Sequence, residues 1–188
     1  MQWGEGVTHR IELKEGQKLK LCTDTCLHFY EDKHVAILLN RLHSNFSAHK
    51  MLLWEAEIPD EIEWISDNKS KAGCTQLTTI RQIEKPVFTK NQKVYFAILC
   101  AKEVCEDKSW NAWADKWISG EDRTEKSAAA AYAASSYAAY AAAAYAAAAS
   151  YTSYANANAY TSYAYANAKN IDLLSIIQKV LDWVDPIP

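Results

Sequence analysis

HRIELK (residues 9–14) and QKLKLC (17–22) alternate apolar and polar positions on either side of Glu15-Gly16, which predicts a hairpin or two successive short strands. The period then lengthens. In EDKHVAILLNRLH (31–43), Val35, Leu38, Leu39 and Leu42 fall at helical spacing, with Asp32 and Lys33 near the start of the segment. KMLLWEAEI (50–58) sets Leu52, Trp54, Ala56 and Ile58 against Leu53, Glu55 and Glu57, the signature of a half-buried strand. After a turn at Pro59-Asp60, EIEWI repeats that alternation. A polar turn is expected from Ser66 to Gly73, and CTQLTTIRQIE (74–84) adds a β-branched strand that ends before Pro86.

From about Gln92 onward the pattern is helical. VYFAILCAKEVC (94–105) is apolar around most of its circumference and is expected to be buried between the sheet and the tail. Ser109 can cap a second helix in which Trp110, Trp113 and Trp117 share one face, stopping at Ser119-Gly120. Core packing is the first reading of those indoles, and a ring-stacking platform for a ligand the second. Near the end of the chain, NIDLLSIIQKVLDWV (170–184) has Leu173, Leu174, Ile177, Val180, Leu181 and Val184 in one stripe. Asn170 can cap it, and its expected partner is the 92–118 region or the alanine faces.

Residues 127–168 follow other rules: 22 Ala, 9 Tyr, 6 Ser, 3 Asn and 2 Thr, with no charge, Gly or Pro. Helix is the favoured state. The near-duplicate YTSYANANA (151–159) and YTSYAYANA (160–168) is spaced by nine residues, about two and a half helical turns, so a hairpin of two antiparallel helices is preferred to one rod. A three-sided coil is the competing reading, because several tyrosines stand at multiples of three. The expected architecture is therefore α+β: a β-rich module over 1–90 with one helix, then a helical region over 91–188 that contains the Ala/Tyr-rich hairpin and a terminal amphipathic helix over 170–184.

Charge narrows the function classes. The net charge is −3 and the pI about 6.0, so no basic field is available to grip nucleic acid. No apolar run reaches the roughly 18 residues that a membrane helix needs, and the start of the chain lacks signal-peptide order. A cytosolic chain without membrane or nucleic-acid partners is the expectation. Five cysteines, Cys22, Cys26, Cys74, Cys100 and Cys105, read as reduced thiols. Cys22 and Cys26 with His28 and His34 lack the paired spacing of a strong zinc site, so no metal and no cofactor is assigned.

LCTDTCLHFYEDKHVAILL, KMLLWEAEIPDEIEW, CTQLTTIRQI, CAKEV and SWNAWADKWISGEDR, followed by the Ala-rich array, together resemble a group of phage and bacterial proteins. In that group a small β-rich N-terminal module precedes a variable Ala-rich tail. The resemblance implies a phage or mobile-element accessory protein, located in the host cytosol if phage-encoded, and brings no activity with it. LHFYEDKHVAILL followed by LLWEAEI also resembles a stretch of ADP-ribosyltransferase-like domains that packs around the nicotinamide end of NAD. That likeness would place His28 and Tyr30 near a ligand and Glu55 or Glu57 near a reacting ribose.

The leading expectation is a protein that binds and sequesters a small nucleotide-derived ligand, ADP-ribose-like or a cyclic nucleotide signal, as counter-defence sponges do. His28, Tyr30, Arg41, His43, Trp54, Arg81 and Trp110 are its candidate contacts. The alternatives are an NAD-using transferase, with His28 and Glu55 or Glu57 as its best catalytic set, and an assembly protein that oligomerises through the tail. Uncharged Ala/Tyr surface makes a homo-oligomer the expectation under either non-enzymatic reading.

Overall fold

The computed structural model describes residues 2–43, 51–67, 71–134 and 171–186, leaving out the side chains of 40–43 and 132–134. Within this range the chain divides into two compact units between Pro86 and Val87. The architecture is α+β, with two small antiparallel sheets in the first unit and a helical second unit.

One sheet of the first unit has the order β1 (Thr8–Arg10), β6 (Gln76–Ile83), β3 (Leu53–Glu57), and the other has the order β2 (Leu27–Phe29), β5 (Ala72–Cys74), β4 (Trp64–Ser66). Thr75 is a single bend between β5 and β6, so one stretch of chain serves as the central strand of both sheets. Because side chains alternate along a strand, Leu27, Phe29 and Cys74 share a face of the second sheet. Leu27 and Cys74 join Leu77 in a buried cluster, and Ile11, Phe29, Ile58 and Ile62 pack against it. α1 (Lys33–His43) begins where the Asp32 carboxylate accepts the backbone N–H groups of His34 and Val35, and it buries Val35, Leu38 and Leu39.

Three expectations change here. Glu15-Gly16 is a turn, with Gly16 at φ 77° and the Gln17 N–H donating to the Lys14 carbonyl at 2.9 Å, but QKLKLC is not a strand. Side-chain hydroxyls replace its ladder partners: Lys20 N–H donates to Thr25 Oγ1, and Thr23 Oγ1 donates to the Lys20 carbonyl. The single face assigned to Leu52, Trp54, Ala56 and Ile58 is not buried throughout: Leu52 and Ala56 are exposed, and the register against β6 shifts between Glu55 and Ala56 because Ile80 is an extra residue on β6. The Ser66–Gly73 turn is shorter than expected, because Ala72 and Gly73 belong to β5.

In the second unit, α2 (Lys90–Lys102) starts with a reciprocal capping box between Thr89 and Gln92 and buries an unbroken run from Val94 to Ile98. α3 (Lys108–Ser119) ends at Gly120, whose φ of 79° is the left-handed conformation that glycine adopts at no steric cost. Its N-cap is Asp107, not Ser109, because the Asp107 carboxylate accepts the N–H groups of Ser109 and Trp110. α4 (Glu125–Ala134) opens the alanine segment and packs on α3. The hairpin and three-sided coil expected beyond it fall at 135–170, outside the described residues, and the terminal helix takes Asp172 as its N-cap in place of the expected Asn170.

α5 (Leu173–Asp182) is capped by Asp172 and lies against α2. Its buried positions are Leu173, Ile176, Ile177 and Val180, spaced i, i+3, i+4 and i+7. Leu174, Leu181 and Val184, which the sequence placed in the same stripe, are exposed. The sequence is apolar over more than one face, and contact with α2 selects the Ile176 side. Burying each of the four large aliphatic side chains contributes about 1.5–3 kcal/mol. The segment after α5 is held by Asp185, which accepts from Asn91 Nδ2 and pairs with Arg123 Nη1, each at 2.6 Å. The Arg123 guanidinium in turn lies over the rings of Trp117 and Trp183.

Gly73 is the tightest point of the first unit. A Cβ added there would stand 2.6 Å from Cys26 Sγ and 3.1 Å from both Cys26 Cβ and Leu21 Cδ2. Gly73→Ala is therefore expected to destabilise the first unit by about 1–3 kcal/mol through overpacking, read as a lower urea midpoint for that unit. An unchanged midpoint would show that the 20–26 loop does not press on β5.

Candidate functional site

The loop over Gly73 brings chemistry-bearing residues together. It runs from Lys20 to Cys26 and closes on itself, with Cys26 Sγ donating to the Lys20 carbonyl and Thr25 Oγ1 donating to Thr23 Oγ1. Within it Cys22 adopts φ 63°, the left-handed region that costs an ordinary side chain about 1 kcal/mol or more. Two contacts hold Cys22 in place. Its backbone N–H donates to His28 Nε2 at 2.9 Å, and Lys71 Nζ donates to its Sγ at 2.8 Å.

His28 lies on β2 opposite Gly73, so the missing side chain of Gly73 leaves space for the loop. Because Nε2 accepts an amide hydrogen, the ring is neutral with its own proton on Nδ1. Cys26 Sγ lies 3.6 Å from the same Nε2. One imidazole nitrogen is thus the common neighbour of both cysteines. Partial burial, reinforced by the charge of Lys71, moves the His28 pKa below its ordinary value. Burial raises the Cys26 thiol; Lys71 opposes that rise and Cys22 adds to it. The Cys74 thiol, on the core face, is pushed up to about 11 mainly by burial.

The other sequence candidates lie elsewhere. Tyr30 is half-buried two residues beyond His28. Arg41 and His43 are in the last turn of α1, with side chains outside the description. Trp54 is half-buried on β3, in the other sheet. Arg81 is exposed and donates through Nε to Glu55 across the β3–β6 pair at 2.5 Å. Glu57 is exposed opposite Thr78. Neither glutamate belongs to the sheet that carries His28. Trp110 is buried beside Trp113 in the second unit, with ring centroids 5.5 Å apart, and Trp117 shares their buried face. The indoles thus pack the helical core.

Sequence reading noticed Cys22, Cys26 and His28 but not Lys71, which joins them from 49 residues away. Gly73 between Ala72 and Cys74, inside a β-type run, was the available signal for a close backbone approach. Among the described residues no group of three or more His, Cys, Asp or Glu is arranged to hold a metal ion, and His34 instead lies 3.4 Å from Asp32. None of the five cysteines is in a disulfide. No described helix is long and apolar enough to cross a membrane.

No family model, curated protein or solved structure matches this chain. The cluster is therefore interpreted from its own chemistry. It combines an exposed thiol beside an ammonium with a buried thiol beside a neutral imidazole.

Because the folded-state pKa of His28 is depressed, the unfolded chain takes up the proton first as pH falls. The stabilising contribution of neutral His28 is complete above the ordinary value of about 6.5 and is lost as pH drops below it. Lys71→Gln removes one of the two causes, so the His28 Cε1–H titration observed by NMR should move to higher pH. A midpoint that stays put or falls would mean that Lys71 does not face the ring.

Proposed function

We propose that the first unit captures a small nucleotide-derived anion, ADP-ribose-like or a cyclic nucleotide signal, and withholds it without turnover. The supporting observation is the Lys71 ammonium beside neutral His28, with no carboxylate among the described residues paired to it. A phosphate oxygen meets its charge requirement there, and Tyr30 supplies a ring just beyond the strand that carries His28. Arg81 is engaged by Glu55, which makes Lys71 the better phosphate contact. The same ion pair occupies one of the two glutamates that a transferase reading needs, so capture is preferred to catalysis.

Self-association is the second element of the proposal, favoured by Leu174, Leu181 and Val184 on the exposed side of the C-terminal segment. Native mass spectrometry with a panel of ADP-ribose, NAD and cyclic nucleotides tests both elements. It should show a retained nucleotide mass on a multimer of the chain, with NAD not converted to nicotinamide. Lys71→Ala should weaken binding about 10- to 100-fold, the loss of one charge-assisted contact. Absence of any nucleotide mass across the panel contradicts capture, and a monomer at all concentrations contradicts association.

A further inference from the structure

The two cysteines on the loop occupy opposite environments on one imidazole. Cys22 is exposed and lies against a cation, whereas Cys26 is buried and lies against a base. Thiol–disulfide exchange needs that asymmetry: an accessible sulfur that carries negative charge to attack, and a protected one that resolves the product. Cys74, the nearest further thiol along the strand, faces the core instead.

We propose that Cys22 and Cys26 form a redox-active dithiol that exchanges with small disulfides of the glutathione-disulfide class, Cys22 attacking and Cys26 resolving. In the first step Cys22 gives its thiol proton to solvent and its sulfur, beside Lys71, bonds to one sulfur of the incoming disulfide. The disulfide bond breaks, and one small thiolate leaves and takes a proton from solvent. In the second step the Cys22 N–H releases His28 Nε2, which accepts the Cys26 proton, and the Cys26 sulfur bonds to Cys22. The bond from Cys22 to the remaining small thiol breaks, and that thiolate leaves and takes up the proton held by the imidazole. Two protein thiols are oxidised to one disulfide while one small disulfide is reduced to two thiols.

The proposal stands independently of nucleotide capture. The left-handed Cys22 backbone and the hydroxyl network of the loop fix the attacking sulfur in place before any ligand arrives. Oxidation removes the thiol that Lys71 contacts, so the ammonium would have to find another partner in the oxidised form.

The full chain is incubated with glutathione disulfide, quenched in acid and digested with trypsin. Cleavage after Lys20 and Lys33 leaves both cysteines in one peptide, residues 21–33, whereas every other pairing of the five cysteines joins two peptides. The expected product is that single peptide lighter by two hydrogens. Cys26→Ser should accumulate a glutathione adduct on Cys22, and Cys22→Ser should lose the rapid reaction. The wild-type peptide carries the test even if either variant folds poorly. A 21–33 peptide that keeps both thiols, a disulfide mapped to another pair, or a stable adduct on wild-type Cys22 would each overturn the assignment. Nucleotide binding measured on the reduced protein does not bear on any of these outcomes.

Discussion

Gly73 lacks a side chain, and the arrangement of the first unit depends on that. Between Ala72 and Cys74, both buried, the strand leaves a gap that Cys26 and Leu21 fill. Any Cβ there would lift the loop from the sheet and separate Cys22 from both its contacts, the His28 ring and the Lys71 ammonium. A constraint of steric origin thus becomes an electrostatic one: the loop can lie flat, so the Cys22 thiol meets the Lys71 ammonium while the Cys22 amide and the Cys26 thiol meet the His28 ring. The core face of the same sheet is held by ordinary apolar burial, through Leu27, Cys74 and Leu77.

The loop meets its own polar demands locally. Thr23 and Thr25 hydroxyls and the Lys20 carbonyl take the hydrogen bonds that a strand partner would otherwise supply. That leaves the positive φ of Cys22 as the residual cost, offset by the amide bond to His28. The second unit solves a different problem with aromatic burial. α2 is apolar around its circumference and meets both α3 and α5, while Asp185 links the N-terminal turn of α2 to Arg123.

Legibility in the sequence followed how local the determining interaction was. Val35, Leu38 and Leu39 of the α1 stripe, the α3 stripe and the stop at Gly120 were readable because periodicity and a left-handed cap act within a few residues. QKLKLC alternated like a strand, yet its backbone is committed to threonine hydroxyls that lie beyond the alternating segment. α5 was legible as a helix but not in its buried face, because Leu174 and Ile176 are equally apolar and only the surface of α2 distinguishes them. The site was the least legible part. Cys22, Cys26 and His28 stand close together in sequence, but their spacing assigned no metal and no partner; Lys71, which sets a cation against the Cys22 thiol, reaches them only through the pairing of β2 with β5. Arg81 and Trp110, plausible ligand contacts by type, are accounted for by a cross-strand ion pair and by core packing.

The account stands or falls on whether the loop holds Cys22 outward against Lys71 and Cys26 inward against His28. Timed alkylation of the native reduced protein with iodoacetamide, resolved cysteine by cysteine, measures this directly. Cys22 should label first, with Cys26, Cys74 and Cys100 protected until the chain unfolds. Labelling of Cys26 as fast as Cys22, or protection of Cys22 to the level of the core thiols, would contradict the arrangement.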